Sequence, residues 1–284
     1  MSKKTKIWLT VATVFVLSGF VLFGGAMMAL KWDFAALLTA EYKTNEYEIA
    51  ENFSDISIKN GTTNVLFVPW EQTNVKVVCY EREKEEHTVL VKDGRLSIEL
   101  TDTRKWYEHI GISFAVPKIT VYLPQAKYRT LSVKSSTGSI NLEGIAVDSL
   151  DLSVSTGRIT VADVDCIGDV RINVTTGIAN VSDVRCKNII SSGSTGDIFL
   201  ENVIATQKLS VKRDTGDVIF DRCDAEEIYV ETDTGNVKGT LLSDKIYITS
   251  TSTGRINVPK SMSGGICDIT TSTGNISIEK ANSN

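Results

Sequence analysis

Two histidines, five cysteines and several aspartates in register are the residues with which this 284-residue chain could do chemistry. His87 ends the charged run Glu81-Arg82-Glu83-Lys84-Glu85-Glu86-His87, and His109 follows Trp106-Tyr107-Glu108. Neither stands in a nucleophile elbow (G-x-S-x-G) or a zinc-protease helix (H-E-x-x-H), so neither has the sequence partner that such chemistry needs. Both read as solvated surface histidines. The expectation is a protein with no catalytic residues, no cofactor and no enzyme activity.

Asp214 and Asp233 occupy equivalent places in neighbouring repeats, as do Asp197 and Asp217. Four carboxylates along one edge would offer hard oxygen ligands to Ca²⁺. The calcium-binding β-roll signature is absent and stacked like charges repel, so a solvated acidic edge relieved by Arg213 is the plainer reading. The cysteines, Cys79, Cys166, Cys186, Cys223 and Cys267, are odd in number and lack a C-x-x-C pair, which fits neither a disulfide framework nor a zinc site. Cys166 and Cys186 share an apolar column with Val147 and Ala205 and are expected as stacked, buried free thiols. The best candidate contact site is the segment 101–113, which breaks the strand rhythm and carries Arg104, Trp106, Tyr107 and His109. Aromatic and arginine side chains on a loop are the types that dominate binding surfaces. The competing reading is a hairpin tip that folds its tryptophan back onto the body of the protein.

These residues are positioned by a repeat. Thr-Gly recurs with its glycine at Gly138, Gly157, Gly177, Gly196, Gly216, Gly235, Gly254 and Gly274, a spacing of 19 or 20 residues throughout. Two residues after each glycine stand Ile140, Ile159, Ala179, Ile198, Val218, Val237, Ile256 and Ile276, all apolar, and the residues that follow them are mostly polar. Period two with one apolar face is a strand with one side inward. Seven residues before the glycines stand Leu131, Leu150, Val170, Ile189, Leu209, Ile228, Tyr247 and Cys267, a second inward strand. Each repeat therefore reads as strand, Thr-Gly turn, strand and looser corner. The predicted fold is all-β, a parallel β-solenoid (β-helix) of about eight 19–20-residue rungs over 131–284, with an N-terminal β cap unit over 48–130. Asn60-Gly61 and Asp93-Gly94 mark turns within the cap.

Ile7 to Leu30 is uncharged over 24 residues, enough as a helix to cross a hydrocarbon core about 30 Å thick. Lys3, Lys4 and Lys6 precede it, and Trp8 and Trp32 flank it at interface depth. The expected order is a cytoplasmic tail over 1–6, a transmembrane helix over 7–30, a juxtamembrane stalk over 31–47, and the β units outside the cell membrane. A cleaved signal peptide with Gly24 and Ala26 at the cleavage site is the alternative. A net charge of −5 argues against a nucleic-acid partner.

The features Phe53-Ser54-Asp55-Ile56-Ser57-Ile58, Asp93-Gly94-Arg95-Leu96-Ser97-Ile98, Ile119-Thr120-Val121-Tyr122-Leu123-Pro124 and Ser136-Thr137-Gly138-Ser139-Ile140 occur in that order. In this the chain resembles a bacterial putative adhesin family of unknown function with β-strand repeats, from about residue 48 to its end. The resemblance implies a β-solenoid, an envelope location of Gram-positive type with an N-terminal membrane segment, and no catalytic residues. The expected function is a membrane-anchored binding module engaging an envelope protein or a cell-wall glycan. Two alternatives stand beside it: a structural or sensory component of an envelope-stress system, and a β-solenoid carbohydrate-active enzyme using the aspartate columns.

Overall fold

The computed structural model describes residues 2–29, 31–32, 41–106 and 115–281. They fall into two compact units, one of residues 1–42 with 103–115, the other of residues 43–102 with 116–284. Among its described residues the first holds the helix α1 (Lys3–Ala29), apolar and long enough to cross a membrane. Phe15, Phe20 and Val21 on it are exposed, as are Trp8 and Trp32 at its two ends. Lys31 and Trp32 take positive φ, and the Trp32 N–H donates to Met27 O at 2.8 Å, which closes the helix.

The second unit is built of strands joined by turns and short irregular stretches, in chain order β1 (Tyr42–Ile49), β2 (Asp55–Asn60), β3 (Asn64–Trp70), β4 (Val75–Arg82), β5 (Glu85–Lys92), β6 (Arg95–Asp102), β7 (Lys118–Pro124), β8 (Lys127–Cys166), β9 (Asp169–Thr195), β10 (Ile198–Thr215), β11 (Val218–Cys223), β12 (Glu227–Thr234), β13 (Val237–Leu241), β14 (Lys245–Thr253), β15 (Ile256–Asn257), β16 (Gly265–Thr273) and β17 (Ile276–Lys280). The strands form one seventeen-stranded sheet around a continuous apolar core. The repeat columns are that core: Leu131, Leu150, Val170, Ile189, Leu209 and Ile228 are buried before the turn, and Ile140, Ile159, Ala179, Ile198, Val218 and Val237 after it.

The expected parallel β-solenoid of about eight rungs with an N-terminal β cap is overturned on three counts. First, pairing is mixed. β4 runs antiparallel to β5 and β7, and β5 antiparallel to β6, so antiparallel outer strands adjoin the parallel ladders. Second, the N-terminal strands and the repeats share one body: β2 pairs in parallel with both β6 and β8, and β3 with both β7 and β8. Residues 43–102 and 116–284 therefore make one closed, barrel-like body, and part of the segment expected as a stalk is strand β1. Third, the repeats do not stack in chain order. β12 pairs with β16, and β16 with β14; β13 pairs with β17, and β17 with β15. The Gly274 repeat thus lies between the Gly235 and Gly254 repeats.

Side-chain character explains the exchange. The Gly274 repeat turns Cys267, Ile269, Ile276 and Ile278 inward, and all four are buried with a neighbour on each side. The Gly254 repeat offers Tyr247, Thr249 and Val258 at the matching places, and its Ile256 is 45% exposed. The less apolar repeat takes the position with one neighbour, where less apolar area must be removed from water.

The corners have separate causes. At the Thr-Gly turn, Gly157 and Gly177 hold φ of +148° and +136°, and their Cα atoms lie against the carbonyl of the preceding corner. Only glycine combines that φ with so close a backbone approach. The corner six residues later has its own left-handed column: Gly144, Asp163, Asp183, Asn202 and Arg222 all take φ between 50° and 66°. Asp and Asn tolerate this region better than other side chains. The Thr-Gly threonines do lie in register, as Thr156 with Thr176 and Thr195 with Thr215, and all are exposed.

Candidate functional site

The hairpin of β4 and β5 buries a group of reactive side chains. In β4, alternation places Val75, Val77, Cys79 and Glu81 on the inner face. The turn at Glu83-Lys84 then returns the chain so that His87 of β5 points inward beside them. Cys79, Glu81 and His87 are 0%, 1% and 2% exposed, and one potential ligand atom of each lies within 4.8 Å of the others. The charged run 81–87 is thus not a solvated connection, and His87 is not a surface histidine. Alternation from the Val-x-Val start of β4 through Cys79 to Glu81 was the available signal; the surrounding charges obscured it.

Glu81 organises the group. Its Oε2 accepts the His87 backbone N–H at 2.7 Å and faces His87 Nδ1 at 2.8 Å, and its Oε1 accepts Asn45 Nδ2 at 2.5 Å. Burial pushes the Glu81 carboxyl up, but the hydrogen bonds from the His87 ring, Asn45 and the His87 N–H together hold it below the usual range. The Tyr47 hydroxyl closes one side by donating to His87 O at 3.2 Å. Burial pushes the Cys79 thiol up to about 12. Among the described residues His87 Nε2 has no hydrogen-bond partner. A buried polar atom left so costs about 1–3 kcal/mol, which marks this nitrogen out.

The aspartate columns are put to a different use. Asp197 Oδ1 accepts the Asp217 N–H at 2.8 Å, Asp217 Oδ1 accepts the Asn236 N–H at 2.8 Å, Asn236 Oδ1 accepts the Asn275 N–H at 2.9 Å, and Asn275 Oδ1 accepts the Arg255 N–H at 2.9 Å. Each side-chain oxygen thus caps the corner of the next repeat. The chain of bonds follows the exchanged order, with residue 275 before 255. Asp214 and Asp233 are exposed on adjacent strands, and Lys212, paired to Glu231 at 2.9 Å, senses both charges.

Arg213 does not lie on the acidic edge: it is 1% exposed inside the body, where burial pulls its pKa down and the charge of Asp197 opposes that pull. Its Nη1 donates to Val174 O at 3.3 Å and its Nη2 to Ser191 Oγ at 3.0 Å. The space it fills is left by Gly193, where a Cβ would overlap Nη1 and lie 3.0 Å from Cζ.

Of the contact candidates, Trp106 is 78% exposed and Arg104 half-buried; Tyr107 and His109 lie outside the described residues. All five cysteines are buried free thiols, and Cys186 pairs in register with Ala205 as the apolar column implied. A shallow groove on the strand face is lined by Ser210, Lys212, Tyr229, Glu231, Asp268 and Thr270, with Lys208 Nζ 4.2 Å above the Tyr229 ring.

Three solved structures share the fold. A putative adhesin from Bacteroides fragilis NCTC 9343 has a TM-score of 0.51 at 16% identity, covering 85% of this chain and 97% of its own. A putative adhesin from Parabacteroides distasonis ATCC 8503 has a TM-score of 0.51 at 15% identity, covering 84% and 98%. A protein from the same organism described as a putative lipid binding protein has a TM-score of 0.53 at 16% identity, covering 85% and 97%. At these identities the likeness is one of fold alone. No curated protein matches the sequence. The Toastrack DUF4097 profile matches residues 53–190 and again 167–284, the second match displaced along the same repeats. Those two segments take in all but the N-terminal part of the chain, which therefore belongs to the Toastrack DUF4097 family.

Proposed function

We propose that this protein is a non-catalytic binding module of the cell envelope, held by α1 as a single-pass anchor with its N-terminus in the cytoplasm and its β body outside. The observation that carries the reading is the groove around Tyr229. Its strands are fixed in register on both sides, so an aromatic ring and the charges of Lys212, Glu231 and Asp268 are presented without a loop to order. A half-buried aromatic ring with the Lys208 ammonium over one face, bordered by hydrogen-bonding groups, suits an extended polar polymer such as a cell-wall glycan. The adhesin description of two structures of this fold agrees with such a role. The exposed Trp106 offers a second contact.

The test is retention of the full chain, in detergent, on cell-wall polymer and on envelope extract. Retention that falls at least tenfold in Tyr229→Ala or Trp106→Ala supports the reading. No retention, or retention indifferent to both, overturns it. A structural or sensory role in envelope stress draws on the apolar helix α1; sensitivity of a deletion strain to envelope antibiotics, with surface attachment unchanged, would favour it instead. Turnover of a polysaccharide lost on Asp217→Asn would replace both readings with an enzyme.

A further inference from the structure

We infer that the β body forms a two-fold symmetric dimer with a second copy of this chain, through the outermost strand β14. Among the described residues β14 pairs on one side only, with β16, and β15 pairs only with β17. The Gly254 repeat is therefore the last of the stack, and the backbone groups on its far side have no ladder partner. Such an edge is a template for another strand, and proteins ordinarily guard it with charge or proline. The outer strand β1 is guarded in this way, by Lys43, Glu46 and Glu48. Strand β14 is not. It has no proline, and its one charged side chain is turned inside: Lys245 is 2% exposed, with Nζ 2.6 Å from Asp224 Oδ1. Apolar exposure gathers at the same place. Leu242, Ile246, Ile248, Ile256, Met262 and Ile266 are all exposed, Ile248 at 54% and Met262 at 99%, and all belong to the last repeat or to the strand beside it.

Size, symmetry and charge point to a second copy as the occupant. A whole repeat, residues 242–264, faces outward, which matches the roughly 20–30 residues a side of a stable interface. Strand β14 is centred on Thr249. Antiparallel pairing about that residue sets Ile248 opposite Ser250 and Tyr247 opposite Thr251. Inward side chains then meet inward ones, and the two apolar cores become continuous. The same register brings Arg255 of one copy beside Asp244 of the other. Both are exposed, and the Asp244 carboxylate, bonded to Lys280 at 2.8 Å, has room for a second cation. A two-fold pair also closes, leaving no β14 edge free. Head-to-tail contact would set β14 against the charged β1 end and would continue into a fibre.

The experiment is the detergent-corrected mass of the full chain by light scattering at micromolar concentration, followed by cross-linking. The wild type is expected at the mass of two chains. Ile248→Lys sets like charges on both sides of the two-fold axis, on a side chain already exposed within one copy. It is expected to raise the dimer dissociation constant at least tenfold while keeping the far-ultraviolet dichroism of the wild type. Thr249→Cys puts a thiol on the axis, where opposed strands hold their Cα atoms about 4.5–5.5 Å apart, within disulfide range. Mild copper oxidation is expected to link this variant in pairs and to leave Thr270→Cys, exposed one strand further in, unlinked. A monomeric wild type overturns the proposal and leaves the edge to a chain of another kind. A dimer unmoved by Ile248→Lys also overturns it and assigns association to α1, as does Thr249→Cys that links no better than Thr270→Cys.

Discussion

Replacing Gly177 with alanine should destabilise the β body far more than replacing Gly94. Gly177 holds φ +136°, and an added Cβ would overlap Gly157 O and lie 2.8 Å from Gly157 C and 3.1 Å from Gly157 N. The backbone conformation alone costs a non-glycine residue about 1–3 kcal/mol. Relieving the overlap means parting two strands that are paired at Thr156 with Thr176, Gly157 with Gly177 and Arg158 with Ile178. Loss of two ladder hydrogen bonds adds about 2 kcal/mol, for a total of about 3–5 kcal/mol. Gly94 also has positive φ, +73°, but nothing lies within 4 Å of its added Cβ, because it sits at the tip of the β5–β6 hairpin. Its alanine variant bears only the left-handed cost of about 1–2 kcal/mol. For a body of this size about 2–4 °C of melting temperature follow each kcal/mol, so the Gly177→Ala shift should be at least about one and a half times that of Gly94→Ala. Thermal melting of the full chain in detergent, followed by far-ultraviolet dichroism, measures both. A Gly177→Ala shift no larger than the Gly94→Ala shift would refute the argument that corner glycines serve close backbone approach.

Four further outcomes follow from buried polar groups. Arg129 grips Asp55 through Nε at 2.8 Å and through Nη2, and Thr130 donates at 2.9 Å; these bonds, Arg129 first, hold the Asp55 carboxyl below its ordinary value of 3.8. Its contribution should be fully present above pH 3.8 and fade as pH falls through the depressed value, so Asp55→Asn should lose about 1–2 kcal/mol at pH 7 and match the wild type in acid. Burial raises Cys79, Cys186, Cys223 and Cys267 to about 12, so native protein should resist an alkylating reagent at pH 8 and react at all five cysteines in denaturant; rapid native labelling would show that the core opens. Arg213 is buried with two hydrogen bonds and, among the described residues, no ion pair, only the charge of Asp197 opposing the effect of burial, so Arg213→Met should be neutral or stabilising in denaturant unfolding. Gly193→Ala, which displaces the guanidinium, should be destabilising, and a tolerant Gly193→Ala would show that Arg213 does not need that space.

The spacing of Thr-Gly pairs was enough to establish strands, turns and inward columns, because backbone pleat and glycine stereochemistry are local and repeat wherever the pattern does. It also identified the apolar helix, whose length and lack of charge need no partner to be legible. The order of stacking lay outside that information. Whether the Gly254 or the Gly274 repeat abuts Gly235 depends on which inner face loses more by exposure, and that comparison exists only once the columns are assembled. The same holds for the β4–β5 hairpin. Glu81 and His87 share a run of charged residues with Arg82, Glu83 and Lys84, and composition alone assigns them all to water. Pairing of β4 with β7 and of β5 with β6 turns one face of the hairpin to the core, so alternate members of one charged run meet opposite surroundings. Local sequence set the periodicity; long-range strand pairing decided which side of it was inside, and with that which residues could act together.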